Sequence, residues 1–229
     1  MRVVVSIGGS VLAPDLAPGR VRGHAAVIDE LVAAGHEVAV VVGGGGVARD
    51  YIGTARELGA SEYDLDVLGI AVTRLNARLL VAALRSEASP EPAVEHAEAR
   101  ASLRRGEVAV MGGTVPGHTT DAVAALLGES VESDLVVFAT SVPGVFSADP
   151  KRDDTAERFD RLSAAELVDI IASIELSAGS NAPVDLLAAK VLQRSGLRAI
   201  VLDGTDPERI GAAVEDDGSV EGTEVVPDA

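Results

Sequence analysis

Apolar, β-branched segments of strand length recur along this chain, and each is followed by glycines or hydroxyl residues and then by a helical pattern. Continuous apolar runs are typical of strands that are buried on both faces. Strands that alternate with helices form a mainly parallel sheet, so the sequence predicts an α/β fold. The predicted strands are 2–7, 37–42, 108–111, 135–139 and 198–202.

Helical patterns fill the intervals between these strands, and no long linker interrupts them, which predicts one domain over residues 1–229. The stretch after Gly211 is predicted to be irregular, with a solvated acidic turn at 215–217. The predicted helices are 21–34, 47–58, 65–85, 96–105, 121–127, 164–172 and 184–195.

Composition excludes several classes of protein. The chain contains no cysteine, which excludes disulfides, thiolate metal sites and cysteine nucleophiles. No apolar stretch reaches the length of a membrane span, and a strand that begins at Arg2 leaves no room for a signal peptide. We therefore expect a cytoplasmic protein.

The charge balance is strongly acidic. Thirty-six acidic residues against nineteen basic ones give a net charge of −17. Such a surface repels nucleic acid and anionic membranes, so neither is expected as a partner. It suits either a cation-binding protein or adaptation to high salt, where ions screen the self-repulsion. The acidic residues are dispersed rather than clustered, which favours adaptation to salt.

Two glycine-rich segments follow predicted strands. The first glycine loop, residues 8–10, suits either phosphate contacts through its amides or a tight turn. The tetraglycine loop, residues 43–46, lies between a strand and a helix, where main-chain amides can bind an anion. A plain turn needs fewer glycines, so we favour a phosphate role here, with Arg49 within reach.

The densest group of polar residues, here the Gly112 loop, covers residues 112–120 and leads to Asp121. A threonine here can cap the following helix, and Asp121 would favour its dipole. Capping does not account for His118 or for the glycines, whereas a substrate loop accounts for all of them.

A fourth segment, residues 140–150, combines a Pro-Gly turn with Phe146 and ends in Asp149-Pro150. Either it is a turn and hairpin with Phe146 in the core, or it clamps an adenosine with Phe146 against the base. The spacing does not distinguish the two.

Taken together and in this order, the loops resemble the amino-acid-kinase superfamily and, within it, UMP kinases of archaeal type. The resemblance covers nearly the whole chain, and its third motif is quite specific. The motifs are IGGSVL at 7–12, VVVGGGG with Arg49, GGTVPGHTTDAVAALL at 112–127, GVFSADP at 144–150 and LLAAK at 186–190.

The resemblance implies a three-layer αβα sandwich with a monophosphate lobe (about 1–130) and an ATP lobe (131–229). It implies a homohexamer and catalytic roles for Arg49 and Asp121. It also implies that Mg²⁺ enters bound to ATP, with no side chain as its ligand. The implied ATP-binding residues are Gly9, Ser10, Gly45, Arg49, Thr140, Ser141, Phe146 and Asp149. The implied UMP-binding residues are Gly44, Asp66, Thr114, Val115, Pro116, Gly117, His118, Thr119 and Thr120.

The sequence departs from the resemblance at three positions. Phe146 and Ser141 replace a tyrosine and an asparagine that are common in similar proteins. Ser6 stands where many superfamily members have a lysine beside the transferring phosphate. Phosphoryl transfer needs positive charge, so Arg49, Mg²⁺ or Lys190 would have to supply it. Lys190 suits a solvated helix surface equally well.

The resemblance implies direct attack of a UMP phosphate oxygen on the γ-phosphorus of ATP. The attacking phosphate is already ionised at neutral pH, so no general base is needed, and Asp121 is predicted to orient Arg or Lys side chains or a Mg²⁺-bound water. Arg74 and Asn76, on the predicted helix that contains Asp66, suit the monophosphate lobe, a subunit contact or an ordinary solvated helix face, and we favour the solvated face.

Two alternatives stay open. The same fold phosphorylates other acceptors, such as isopentenyl phosphate, carbamate or acetylglutamate. The absence of the lysine also suits a nucleotide-binding protein without catalytic activity.

Overall fold

A computed structural model describes residues 1–148, 153, 155–175, 183–215 and 221–228. In that part of the chain seven strands form one sheet in the order β3-β2-β1-β4-β6-β7-β5. The first five strands in this order are parallel, whereas β7 runs antiparallel to β6 and β5 is parallel to β7. The strands are β1 (Arg2–Ile7), β2 (Glu37–Val42), β3 (Ala109–Met111), β4 (Leu135–Thr140), β5 (Arg161–Ser163), β6 (Ala199–Asp203) and β7 (Gly222–Val226).

Helices cover both faces of this sheet. Alternate residues of β1 point to opposite sides, so Val4 joins one apolar cluster while Val3 and Val5 join the other. Helices α5 to α8 contribute to the first cluster, and α2, α4 and α9 contribute to the second. This confirms the three-layer αβα fold. The helices are α1 (Gly9–Leu12), α2 (Pro18–Ala33), α3 (Gly45–Glu57), α4 (Glu62–Ala83), α5 (His96–Arg104), α6 (Thr120–Val131), α7 (Ala164–Glu175), α8 (Leu186–Ser195) and α9 (Glu208–Glu215).

Helices α2, α3 and α4 begin two or three residues earlier than the sequence pattern predicted, whereas α8 begins two residues later, at Leu186. The chain forms the short helix α1 directly after Gly8, where Val11 N and Leu12 N donate to the Gly8 carbonyl at 2.8 and 2.9 Å. Helix α2 starts at Pro18, because proline suits a first helical turn, in which its missing N–H is not needed. Helix α3 starts inside the tetraglycine loop, at Gly45.

The prediction of an irregular segment after Gly211 is wrong. Helix α9 continues to Glu215, whose carboxylate takes a hydrogen bond from His36 Nε2 at 2.7 Å, and β7 follows. The other two residues of the predicted acidic turn, Asp216 and Asp217, lie outside the described residues. Strand β7 has only five residues, and glycine, threonine and glutamate are three of them. No long apolar run therefore marks this strand in the sequence.

The sheet topology places the strand-end loops together. Strand β1 lies between β2 and β4, with both of which it is parallel, and the chain order reverses there. Ligands of open α/β sheets bind beyond the carboxyl ends of the strands at such a switch point. The register pairs Ile7 with Val42 on one side and with Ala139 on the other, so these strands end at one level.

No helix in the described part of the chain is long and apolar enough to cross a membrane.

One buried hydroxyl joins β7 to the segment after β4. Thr223 is fully buried, and its Oγ1 accepts from Val145 N at 2.8 Å and donates to Phe159 O at 2.5 Å. Thr223→Val keeps the shape but leaves both main-chain groups without a partner, so we expect the free energy of unfolding to fall by about 2 kcal/mol. Denaturant unfolding in molar KCl measures this.

Thr223→Ser is the matched control, because it keeps the hydroxyl and removes only a methyl group. Should the serine variant prove the less stable of the two, the hydrogen bonds at this position would not be the stabilising interaction.

Candidate active site

The first glycine loop and the tetraglycine loop are in direct main-chain contact. A Cβ built on Gly9 would lie 2.3 Å from Gly45 N and 2.5 Å from Gly43 O, and one on Gly45 would lie 2.5 Å from Gly9 C. Gly45 also has a φ of +66°, a conformation that side-chain-bearing residues rarely adopt. Glycine is therefore required on both sides of this contact.

The fourth glycine of the run has a different status. A Cβ on Gly46 would meet nothing within 4 Å, so packing does not require glycine there. Glycine is required by packing at Gly43, Gly44 and Gly45, where any side chain would clash with neighbouring atoms.

Arg49 follows on α3, one turn after Gly45, and is exposed. Among the residues that the structure describes, none forms an ion pair with Arg49. An arginine without a carboxylate partner beside the amino end of a helix is suited to bind an anion.

Asn76 on α4 fixes the tetraglycine loop. Its Nδ2 donates to Gly43 O at 2.9 Å and to Gly44 O at 3.1 Å, and the residue is 3% exposed. The prediction that Asn76 lies on a solvated helix face is therefore wrong. A signal was present in the sequence, since Asn76 lies on the apolar stripe of its helix, four residues after Val72 and four before Leu80.

The same helix fixes the start of the Gly112 loop. Gly113 N donates to Thr73 Oγ1 at 2.7 Å, while the guanidinium of Arg74 donates to Gly113 O at 3.1 Å and to Thr114 O at 3.3 Å. A Cβ on Gly112 would lie 2.6 Å from Thr73 Oγ1, so the loop approaches α4 closely. The solvated face favoured for Arg74 is also wrong, and no sequence pattern marked Thr73.

Near its amino end α4 contacts the same loop again. Asp66 Oδ2 accepts from Gly117 N at 2.8 Å, and Gly117 has a φ of +84°. Asp66 is exposed, and Oδ1 takes no hydrogen bond from any described residue. One carboxylate oxygen thus shapes the loop, and the other is available to a hydroxyl group.

The last residues of the Gly112 loop start α6. Thr119 caps that helix by accepting from Ala122 N at 3.1 Å, and its hydroxyl donates to the carboxylate of Asp185, which itself caps α8. The predicted capping role is confirmed for Thr119. His118 Nδ1 is buried and has no hydrogen-bond partner among the described residues. Val115 is exposed, and Thr114, Pro116 and Thr120 are partly buried.

Asp121 lies one residue into α6 and contacts β1. Ser6 Oγ donates to Asp121 Oδ1 at 2.9 Å. Burial raises the pKa of Asp121 to about 7; the Ser6 hydrogen bond opposes this rise, and the charge of Asp185 adds to it. Among the described residues, the hydrogen-bond partner of Asp121 is a hydroxyl and not the predicted arginine or lysine. Lys190 is exposed on α8.

The segment after β4 adjoins the first glycine loop. Gly8 N donates to Ala139 O at 3.0 Å, and Gly204 N donates to Thr140 O at 2.8 Å. Thr140 Oγ1 accepts from Val142 N at 3.1 Å, which forms a turn in which Ser141 is exposed.

Further along, this segment pairs with residues 157–159. Ser147 N donates to Glu157 O at 2.9 Å, and Phe159 N donates to Val145 O at 2.9 Å. Hairpin-like pairing is thus present, but Phe146 is only partly buried and belongs to neither apolar cluster. The adenosine clamp stays a prediction, and Asp149 lies outside the described residues.

The structure therefore joins the loops that the sequence singled out. Asn76 and Arg74, two residues apart on α4, tie the tetraglycine loop and the Gly112 loop to one helix. The first glycine loop packs on the tetraglycine loop. No group of three or more acidic or histidine side chains able to hold a metal occurs among the described residues.

The raised pKa of Asp121 makes stability depend on pH. Between its unfolded value near 4 and about 7, the native state binds more protons than the unfolded state, so the free energy of unfolding falls as pH rises. Asp121→Asn removes this penalty. Between pH 4.5 and pH 8, we expect the free energy of unfolding of the variant, relative to that of wild type, to rise by about 2 kcal/mol. The rise is smaller than the full pKa shift would give, since Asp121 is partly exposed. Denaturant unfolding at both pH values checks this, with a variant of an exposed carboxylate, Asp169→Asn, as control. The same stability difference between Asp121→Asn and wild type at both pH values would contradict the prediction.

Comparison with known proteins shows the family of this chain. A uridylate kinase of Natronomonas pharaonis is 75% identical over 99% of both chains. One from Halobacterium salinarum is 64% identical over 100% of this chain and 94% of the relative. The crystal structure of uridylate kinase from Archaeoglobus fulgidus shares 48% identity and a TM-score of 0.89 over 99% of this chain and 100% of that one. The model of the amino acid kinase family matches residues 1–203, and the chain belongs to that family.

Proposed function

We propose that this protein is a uridylate kinase, which transfers the γ-phosphate of ATP to UMP and releases UDP and ADP. The observation that carries the proposal is the contact of Gly9 with Gly43 and Gly45, which brings the main chains of two strand-end loops together. Helix α4 then connects this amide-lined surface to the Gly112 loop. The archaeal relatives that carry the name uridylate kinase support the same reaction.

The two substrates would bind on either side of the glycine contact. UMP would occupy the lobe formed by residues 1–130, and ATP the lobe formed by 131–229 together with the first glycine loop. The free oxygen of Asp66 suits a ribose hydroxyl. The proposed UMP-binding residues are Gly44, Asp66 and Thr114 through Thr120. Those proposed for ATP are Gly9, Ser10, Gly45, Arg49, Thr140, Ser141, Phe146 and Asp149.

Phosphoryl transfer depends on position and on positive charge. The UMP phosphate has a second pKa of about 6, so it attacks without help from a base. Ser6 cannot supply positive charge, because its hydroxyl is neutral, and that hydroxyl donates to Asp121. Arg49, which has no described ion-pair partner, is the protein cation that we propose to neutralise the transferring phosphate.

Magnesium would enter bound to ATP. Mg²⁺ prefers oxygen ligands and keeps several waters, and the carboxylates of Asp121 and Asp185 are oxygen donors close to each other at this edge. The donor set fits an ion that is held mainly by phosphates, with Asp121 orienting one of its waters. When bound, the ion would neutralise phosphate charge.

The raised pKa gives Asp121 a second property. Near neutrality the carboxyl is partly protonated, so it adds less negative charge beside two phosphate chains than an ordinary aspartate would. We propose that Asp121 orients the reacting groups and does not abstract a proton.

The strongly acidic composition agrees with adaptation to high salt. Several relatives come from halophilic archaea. The homohexamer and the cytoplasmic location remain proposals.

An acceptor screen tests the function. ATP would be offered with UMP, CMP, carbamate, acetylglutamate or isopentenyl phosphate, in low and in molar KCl, and ADP release would be measured. We expect UMP to be the preferred acceptor and activity to be higher in molar salt, where screening reduces self-repulsion. Preference for another acceptor would reassign the substrate, and ATP binding without turnover would indicate a non-catalytic protein.

Replacing Asp121 separates binding from turnover. Asp121→Asn should lower kcat about 100-fold, because an amide cannot provide the same charge and hydrogen bonds to the reacting groups. The KM for UMP should change less than about threefold, since the proposed role is in the transfer step. Steady-state kinetics with Asp169→Asn as control measures both, and an unchanged kcat would remove Asp121 from the mechanism.

A further inference from the structure

Arg74 is placed to control the shape of the Gly112 loop. Its Nε donates to Gly113 O at 3.1 Å and its Nη2 donates to Thr114 O at 3.3 Å. A planar guanidinium that holds two successive carbonyl groups fixes their relative orientation, which the single ammonium of a lysine cannot do equally well.

Gly113 is held on both of its main-chain polar groups. The N–H donates to Thr73 Oγ1 at 2.7 Å, and the C=O accepts from Arg74. A Cβ on Gly113 would also lie 3.1 Å from Ile70 Cγ1, so the residue is close to α4 in space. The position at which the loop leaves β3 is therefore set by about one turn of α4, from Ile70 to Arg74.

Arg74 also brings positive charge to this loop. None of the described carboxylates forms an ion pair with it, and its contacts are carbonyl dipoles. The two hydrogen bonds leave further N–H donors of the guanidinium unused. In a chain of net charge −17, an uncompensated arginine beside the loop favours an anionic ligand there.

The neighbouring arginine of the same helix differs in all these respects. Arg78, one turn later, is exposed, and its guanidinium is paired with the carboxylate of Glu91. Arg78 therefore serves as a matched control in the same helix.

We propose that Arg74 is a positioning residue for the nucleoside monophosphate. It holds the Gly112 loop in the form that binds UMP, and it acts on UMP binding and not on phosphoryl transfer. This inference rests on the proposed function, because it takes the Gly112 loop to be the UMP loop.

The test compares Arg74→Gln, Arg74→Lys and Arg78→Gln in the full-length protein. UMP binding and ATP binding are measured separately by calorimetry, and steady-state kinetics gives kcat and both KM values. We expect Arg74→Gln to raise the Kd and KM for UMP about tenfold, with kcat and the KM for ATP within about threefold of wild type. Arg74→Lys should recover only part of the loss, and Arg78→Gln should behave as wild type.

Amide hydrogen exchange of residues 113–117 provides a readout without any nucleotide. Exchange should accelerate in Arg74→Gln and not in Arg78→Gln, because only the former frees the two carbonyl groups. Thermal unfolding shows whether each variant is folded, and if Arg74→Gln is not, Arg74→Lys carries the comparison.

Three results would overturn the inference. These are wild-type affinity for UMP in Arg74→Gln, complete rescue by Arg74→Lys, or unchanged exchange of the loop amides. Failure of the proposed function would look different, since the unmodified protein itself would then bind no UMP.

Discussion

The site depends on two loops that touch through their backbones. Gly9 and Gly45 approach so closely that a methyl group on either would overlap main-chain atoms of the other. Such a contact brings the main chains of two loops that follow different strands next to each other, and main-chain N–H groups of such loops are suited to bind phosphate. The parallel register of β1 with β2, which ends both strands at one level, makes the contact possible.

Helix α4 is the second requirement. The helix carries four residues that make hydrogen bonds to loops of the site: Asp66, Thr73, Arg74 and Asn76. Asn76 bonds to the tetraglycine loop, and the other three bond to the Gly112 loop. Because the helix is rigid over these residues, the tetraglycine loop and the Gly112 loop keep a fixed separation. The helix is thus a structural part of the site, although it is distant in sequence from the Gly112 loop.

The sequence predicted five of the seven described strands and the loops of the site, because these features depend on local patterns. Apolar runs determine strands, and glycines mark the places where backbones must approach closely. The three-layer arrangement was implied by the family resemblance. Strands β5 and β7 and helix α9 were missed, since short elements have weak patterns. The contacts of Arg74 and of Asp185 were missed for another reason. Their roles arise from contacts with residues 39 and 66 positions away, and no local pattern reports such contacts.

Strands β1 and β4 belong to the two proposed lobes, yet they are neighbours in a single sheet, paired from Val3 to Ile7. Rotating one lobe against the other would break that ladder of main-chain hydrogen bonds. A relative rotation of the two proposed lobes would therefore have to deform this shared part of the sheet. The sheet thus resists changes in the separation of the two proposed nucleotide sites.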